Sequence, residues 1–265
     1  RTNSTMIEKD LHMESEMNES VTGSDILISV ITVCRNAEKT IEATLQSMAM
    51  QENVQGRVEQ VVVDGASEDG TLESVKRFPA VRWISEPDDG ISDAFNKGLR
   101  LAKGEYTLYL NADDYLYDNK VLADVINFID SHDRPDWIVG DVAEAKNDAL
   151  TIPQRRYPPS CWSLMLRNRI GHQSVFLKRE TLLEIGCFDT RFKTAMDYDL
   201  FERLCAQGYT PVYFPRVISV FSKEGLTSVT TPALVSETQE VAGRFRNNPL
   251  KRLIGHTYDQ LKGGN

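Results

Sequence analysis

Gly104-Glu105-Tyr106-Thr107-Leu108-Tyr109-Leu110-Asn111-Ala112-Asp113-Asp114 is the stretch on which the reading of this chain turns. Tyr106 to Leu110 is aromatic and apolar with one threonine, the pattern of a short strand inside a core. A glycine precedes it, as where a helix hands over to a strand. The run then stops in an amide and two carboxylates. In open α/β sheets the C-terminal edge of the strands is where ligands bind. Asp113 and Asp114 beside Asn111, fixed at a strand end, suit a hard divalent cation, Mg²⁺ or Mn²⁺. A polar turn is the other reading of the same residues, because Asn and Asp are common turn formers.

Working outward, the segments on either side alternate between strand and helix patterns. Upstream, Ile26 to Val33 is apolar at nearly every position, as in a strand buried on both faces. Cys34-Arg35-Asn36 follows, with Asn36 placed as a helix N-cap before Ile41, Leu45 and Met48 at helical spacing. Val58 to Val63 is a second strand ending in the polar loop Asp64-Gly65-Ala66-Ser67-Glu68-Asp69-Gly70-Thr71. A helix with Leu72, Val75 and Phe78 leads to a third strand, Val81 to Ile84, and to the acidic turn Ser85-Glu86-Pro87-Asp88-Asp89-Gly90. Ser92 is placed as the cap of a helix whose Ala94, Phe95, Leu99 and Ala102 face the core. Downstream of the opening stretch come a helix through Val121, Leu122, Val125, Ile126 and Ile129 and a fifth strand at Trp137-Ile138-Val139. This order predicts an α/β fold with a mostly parallel central sheet and crossover helices. A parallel sheet gathers the Asp-rich strand ends on one edge, so the carboxylates converge.

The alternation breaks from Asp141 to Ile170. Pro153, Pro158 and Pro159 punctuate a stretch with Arg155, Arg156, Tyr157, Trp162, Arg167 and Arg169. Loops of this length inside a domain are commonly functional, and aromatic rings with arginines suit a sugar or phosphate acceptor. Gly171 to Leu177 reads as a strand, Arg179 to Ile185 as a short helix, and Met196-Asp197-Tyr198-Asp199 as the start of a helix carrying Leu200, Leu204 and Cys205. Strand signals return at Val212 to Phe221. Glu237 to Leu261 reads as a helix broken at Pro249, basic through Arg244, Arg246, Lys251 and Arg252. It is expected to pack on the core or, less simply, to touch a membrane surface. Residues 1–25 read as a disordered polar tail.

Composition narrows the classes. The 265 residues are 41% hydrophobic and 26% charged, as in an ordinary globular protein. A formal net charge of -9 speaks against wrapping nucleic acid. No apolar run reaches the roughly 20 residues of a membrane span, and no secretory signal is visible ahead of the folded part. Cys34, Cys161, Cys187 and Cys205 form no C-x-x-C pair, so neither a zinc site nor a disulfide framework is expected and a reducing cytoplasm is the expected setting. The Gly-rich phosphate loops of common nucleotide-binding folds are missing from the sequence.

Taken in order, the motifs resemble glycosyltransferase family 2, the inverting transferases with a GT-A fold, over about Ile26 to Ser228. The resemblance rests on Ile28 to Asn36, on Val61-Val62-Val63-Asp64-Gly65-Ala66-Ser67 with Asp69-Gly70-Thr71, and on Ser85 to Ile91 with Asp93-Ala94 and Asn96-Lys97-Gly98. It rests also on Asn111-Ala112-Asp113 with Asp114 as the metal-binding element, and on Gly186-Cys187-Phe188-Asp189 with Met196-Asp197-Tyr198-Asp199-Leu200. The wording is most similar to bacterial transferases that build O-antigen, capsule or exopolysaccharide.

The resemblance implies that Asp197 is the general base and Asp113 the metal ligand, with His172 open as a second ligand. It implies a nucleotide-sugar site lined by Val33, Arg35, Asp64, Asp89, Asp93, Lys97, Asn111 and Ala112. The implied cofactor is Mg²⁺ or Mn²⁺, the implied donor a UDP-sugar, and the implied acceptor a saccharide or a lipid-linked saccharide, with no role for nucleic acid. A cytoplasmic protein, peripheral at the inner membrane face through its basic C-terminal helix, follows from the same likeness. The expected organisation is a tail (1–25), a transferase domain (26–232, with a nucleotide-sugar half at 26–141 and an acceptor half at 142–232) and a helical extension (233–265). Two positions depart from the family pattern. Asn111 stands where an Asp is usual, and Met196 stands where an acidic residue often precedes the distal Asp. They leave open an impaired nucleotide-sugar-binding or scaffold protein. A sugar-phosphate nucleotidyltransferase ranks lower, because Asn36-Ala37-Glu38-Lys39 lacks the Gly-rich basic loop expected there.

Overall fold

The structure is a computed structural model and describes residues 26–54, 56–146, 149–152, 158–161, 164, 170–222 and 231–246. The expected tail, Arg155, Arg156, Tyr157, Trp162, Arg167, Arg169, Pro249, Lys251 and Arg252 lie outside the described residues. The elements run β1 (Ile28–Cys34), α1 (Ile41–Ala49), β2 (Val58–Asp64), α2 (Thr71–Lys76), β3 (Arg82–Ser85), α3 (Ile91–Leu101), β4 (Tyr106–Tyr109), β5 (Tyr115–Leu116), α4 (Val121–Ser131), β6 (Trp137–Lys146) and β7 (Ala149–Thr151). A short 3-10 turn (His172–Ser174), β8 (Val175–Lys178), α5 (Arg179–Glu184), α6 (Met196–Ala206), β9 (Val212–Ser222) and α7 (Pro232–Arg246) follow.

One sheet unites the described strands in the order β3-β2-β1-β4-β8-β6-β9-β5, with β7 paired to β6. β3, β2, β1 and β4 are parallel, as the alternating pattern predicts. β8 runs antiparallel to both β4 and β6, while β6 and β9 are parallel again. β1 is buried at every position. Ile31 and Val33 meet Val61, Val63 and the Phe95 and Leu99 face of α3, whereas Ile28 and Val30 meet Leu108 and the α4 core. This period-two division between helices above and below is why the strand has no polar face. Each such aliphatic or aromatic side chain contributes about 1.5–3 kcal/mol by leaving water.

Two glycines are required by close approach. A Cβ on Gly104 would lie 2.6 Å from the Ser29 backbone nitrogen, and one on Gly98 would lie 2.3 Å from Ile31 Cγ2. Gly98 lets α3 press onto β1, which in turn brings the start of α3 to the sheet edge.

Several local expectations are corrected. Asn36 does not cap a helix: its backbone is left-handed (φ 51°), its side chain accepts from the Glu68 N–H (2.9 Å), and α1 begins only at Ile41. Ser92 lies inside α3 after Gly90, and its hydroxyl donates across the fold to the Phe192 carbonyl (2.6 Å). Gly171 to Ser174 is not strand, because the Ser174 N–H and hydroxyl both turn back onto the Gly171 carbonyl. The expected fifth strand extends as far as Lys146. The expected lack of disulfides is overturned: Cys161 and Cys205 are bonded, 44 residues apart in sequence with Cα atoms 5.5 Å apart. Spacing along the chain could not disclose a pair that only the fold brings together, and the argument from cysteines to a reducing compartment loses its premise. Among the described residues no helix is long and apolar enough to cross a membrane.

Candidate active site

The carboxylates gather where the sheet changes direction. β4 is parallel to β1 on one side and antiparallel to β8 on the other, with Tyr106 opposite Lys178 and Leu108 opposite Phe176. The beginning of β8 therefore lies beside the end of β4. That reversal sets the His172–Ser174 turn against Asn111–Asp114, two segments far apart in sequence. The turn after β4 closes by an Asp114 N–H to Asn111 carbonyl bond (3.1 Å). The Thr44 hydroxyl of α1 holds it from below by donating to the Asp114 carbonyl (2.7 Å).

Asp114 is fully buried, and burial together with the charge of Asp113 pushes its carboxyl up to about 7, against the opposing pull of His172. Burial also raises Asp113, again opposed by His172. The His172 Nδ1 lies 3.8 Å from Asp197 Oδ2 in the first turn of α6. The ring is steadied by Phe95, 5.7 Å away between centroids. Asp113, Asp114, His172 and Asp197 form one site, drawn from β4, the turn before β8 and α6.

The polar atoms in this site are incompletely used. Asn111 Oδ1, Asp114 Oδ2 and His172 Nε2 are buried without a hydrogen-bond partner. An unpaired buried acceptor costs about 1–3 kcal/mol. The Asn111 and Asp114 oxygens are orphaned acceptors next in sequence to Asp113, the kind of atoms a divalent cation takes. No group of three or more His, Cys, Asp or Glu among the described residues forms a ready-made cage. The residues therefore fit a cation held by few protein ligands and completed by water and phosphate oxygens, the usual manner of Mg²⁺.

The remaining predicted residues divide into two groups. Val33 and Ala112 are buried in the walls, and Arg35 and Asp89 are exposed along the edge. Asp64 is fully buried, and its carboxylate accepts from the Ser67 hydroxyl (2.5 Å), the Ser67 N–H (3.0 Å) and the Ser85 hydroxyl (2.7 Å), so it ties the ends of β2 and β3 together. Asp93 accepts from the Asp89 N–H (3.2 Å) and pairs with Lys97 (3.2 Å). Burial would raise its carboxyl, but these partners outweigh burial and hold it low. Lys97 also donates to the Pro87 carbonyl (2.6 Å) and pairs with Glu86 (3.0 Å), closing the Glu86–Asp93 loop on itself.

Two motifs that look independent in sequence are physically one. The Asn96 side chain donates to the Phe188 carbonyl (2.9 Å) and accepts from the Phe188 N–H (3.0 Å). Phe188 also meets Phe95 and Tyr109 edge-on. α3 and the loop before α6 are thereby locked together, which fixes the start of α3 relative to Asp197.

This arrangement of sheet, acidic strand ends and distal Asp has counterparts. The model of Glycosyl transferase family 2 matches residues 29–201. The chain belongs to glycosyltransferase family 2. A PGL/p-HBAD biosynthesis glycosyltransferase of Mycobacterium bovis (strain BCG / Pasteur 1173P2) is 32% identical over 183 residues, 65% of this chain and 67% of that protein. S. aureus TarS 1-349 in complex with UDP-GlcNAc superposes with a TM-score of 0.70 at 21% identity, covering 84% of this chain and 67% of that one. The mannosyltransferase PcManGT of Pyrobaculum calidifontis, in complex with GDP-Man and Mn²⁺, gives a TM-score of 0.56 at 22% identity, covering 81% and 64%. These structures share the GT-A fold with this chain, which spans about two thirds of the length of each relative. The family match ends at Phe201, so α7 and the last turn of α6, from Glu202, lie beyond it.

Proposed function

We propose that this glycosyltransferase moves a sugar, with inversion, from a nucleoside-diphosphate sugar to a hydroxyl of a saccharide or lipid-linked acceptor. The observation that carries this reading is the meeting of Asp197 with His172 and the Asp113–Asp114 pair in one site. Sugar transfer needs a base for the acceptor and a charge-bearing place for the leaving diphosphate, and the reading assigns Asp197 to the first and the Asp113 turn to the second. The Asp197 carboxylate takes the proton of the acceptor hydroxyl as its oxygen bonds to the anomeric carbon. The bond from that carbon to the diphosphate oxygen breaks with its electron pair on the diphosphate. Attack opposite the leaving group inverts the anomeric centre.

A divalent cation held by Asp113, with Asn111, Asp114 and His172 as neighbouring donors, supplies charge neutralisation to the diphosphate when bound. Val33, Arg35, Asp89 and Ala112 line the nucleotide side. Asp64, Asp93 and Lys97 shape its loops, and Asp64 receives the base or ribose if a serine hydroxyl gives way. Relatives solved with UDP-GlcNAc or with GDP-Man and Mn²⁺ support a nucleotide-sugar donor with a divalent ion. A relative named for PGL/p-HBAD biosynthesis supports a cell-surface glycan as product.

The test is release of nucleoside diphosphate by purified protein from a panel of UDP-, GDP-, dTDP- and CDP-sugars with Mn²⁺. One donor is expected to be cleaved, and the activity is expected to disappear in Asp197→Asn on addition of acceptor. A protein that binds a donor yet releases no diphosphate with any acceptor extract would instead support the impaired, binding-only reading that Asn111 and Met196 invite.

A further inference from the structure

α6 brings Asp197 to the site, and Ala195 at its cap position makes no side-chain cap bond. Within the first turn only Asp197 Oδ1 accepts, from the Tyr198 N–H (2.7 Å), which leaves Oδ2 on the His172 side. The three residues leading into the helix are bonded by a carboxylate from another helix. Glu237 of α7 accepts from the N–H groups of Lys193 (3.0 Å), Thr194 (2.8 Å) and Ala195 (2.9 Å), and from the Thr194 hydroxyl (2.9 Å). Charged acceptors make the stronger hydrogen bonds, and four donors leave this carboxylate little freedom. Burial alone would raise its carboxyl, but the three backbone donors outweigh burial and hold it below the usual range.

The same short segment is tied to the donor edge. The Ser92 hydroxyl donates to the Phe192 carbonyl (2.6 Å), and the Lys193 ammonium donates to the Asp89 carbonyl. Phe192 to Ala195 is therefore a bridge between the Asp88–Asp93 loop and the helix carrying Asp197, and Glu237 clamps it from outside. The clamp belongs to a helix that the family match does not reach.

We infer that Glu237 is a positioning residue for transfer: it fixes the entry of α6 and so the placement of the Asp197 carboxylate relative to the donor. This rests on the proposed reading of Asp197 as the base. The rest of α6 has its own anchors, which Glu237 does not share. Asp199 pairs with Arg203 (2.8 Å) and Arg244 (3.3 Å), Phe201 stacks on Trp137, and Cys205 is bonded to Cys161. Loss of Glu237 therefore loosens the first turn without releasing the helix. A misplacement on the order of 1 Å can lower turnover about 100-fold.

The experiment compares wild type, Glu237→Ala, Glu237→Gln, Asp197→Asn and the control Gln239→Ala, a neighbouring exposed position on α7. Amide hydrogen exchange, thermal unfolding, donor KM and kcat are measured on the donor that the panel identifies. Glu237→Ala is expected to lower kcat about 10- to 100-fold with donor KM within about twofold. It should also speed exchange at 193–199 while leaving 200–206 protected. Glu237→Gln keeps one acceptor oxygen and should fall between, and Gln239→Ala should resemble wild type. Unchanged exchange at 193–199, or a rise in KM with kcat unaltered, overturns the inference. If Asp197→Asn retains wild-type turnover, the base assignment fails instead, and the positioning role goes with it while the exchange result still reports the clamp. A wild type inactive with every donor has the same consequence.

Discussion

Asp64 and Asp93 are fixed mainly by near partners, Ser67 three residues away and Asp89 and Lys97 four away, with the Ser85 hydroxyl reaching Asp64 across 21. The helix of Asp197 is held from much farther off: Glu237 bonds its entry across 42 to 44 residues, Asn96 bonds Phe188 across 92, and the disulfide spans 44. The edge proposed for the donor is thus held largely by near bonds on a parallel register, and the distal helix more by the assembly of the whole fold. Local bonds form wherever their loop forms, whereas distant ones share the fate of everything between them. Damage remote from the site should therefore reach transfer before it reaches donor binding.

The sharpest test separates the two regions directly. Asp197→Asn should lower transfer by about 10²- to 10⁴-fold, the range of a lost general base, while calorimetry shows donor affinity unchanged. Loss of affinity in step with turnover would mean that the regions are not separable. Next comes the long-range staple. Cys161→Ser should remove about 3–4 kcal/mol, by the chain-entropy relation for a loop of this length, and lower the melting temperature by roughly 6–8 °C. Donor KM measured well below the melting temperature should stay the same. A variant as stable as wild type would show that the other long-range bonds suffice.

The metal site probes the other side of the comparison. Mn²⁺ with UDP at about 100 times its dissociation constant should stabilise the protein by about 2.7 kcal/mol, and Asp113→Ala should erase that gain. Equal stabilisation by UDP in EDTA would remove the cation from the reading. The smallest effect is a pH dependence. Glu237 is held below its usual carboxyl range, so its bonds stabilise the fold fully above about pH 4.5 and are lost as pH falls through the lowered value. Melting curves of wild type and Glu237→Gln should differ at neutral pH and converge in acid. A constant gap down to pH 3 would contradict the linkage.

The same division explains what could be read in the sequence. Asp64, Asp113 and their loops follow apolar strand runs, and a parallel sheet brings such ends together whatever the details. Asp197 was reached through the resemblance, since an Asp opening a helix is equally a cap. Glu237 and the Cys161–Cys205 bond carry no local signal, because their meaning lies in partners that only the finished fold supplies. Asn36 and Ser92 were misread for a related reason. A short polar side chain can cap a helix or reach a distant backbone group, and here the Glu68 N–H and the Phe192 carbonyl won.

The reversal between β4 and β8 has a consequence for how this chain can change. The His172 turn is carried toward the end of β4 because two strands pair in opposite directions, with Trp137 of β6 also registered opposite Leu177. The length of the connection between β7 and the His172 turn does not enter that register. Doubling it would cost only about 0.6 kcal/mol in closure entropy. Within that connection Leu164 and Ile170 are seated in the core and Cys161 is held by its disulfide, so changes of length between these anchors should leave the Asn111–Asp114 turn and Asp197 in place. Under the proposed reading, acceptor preference can then change by insertion and deletion in one segment, without rebuilding the edge assigned to the donor.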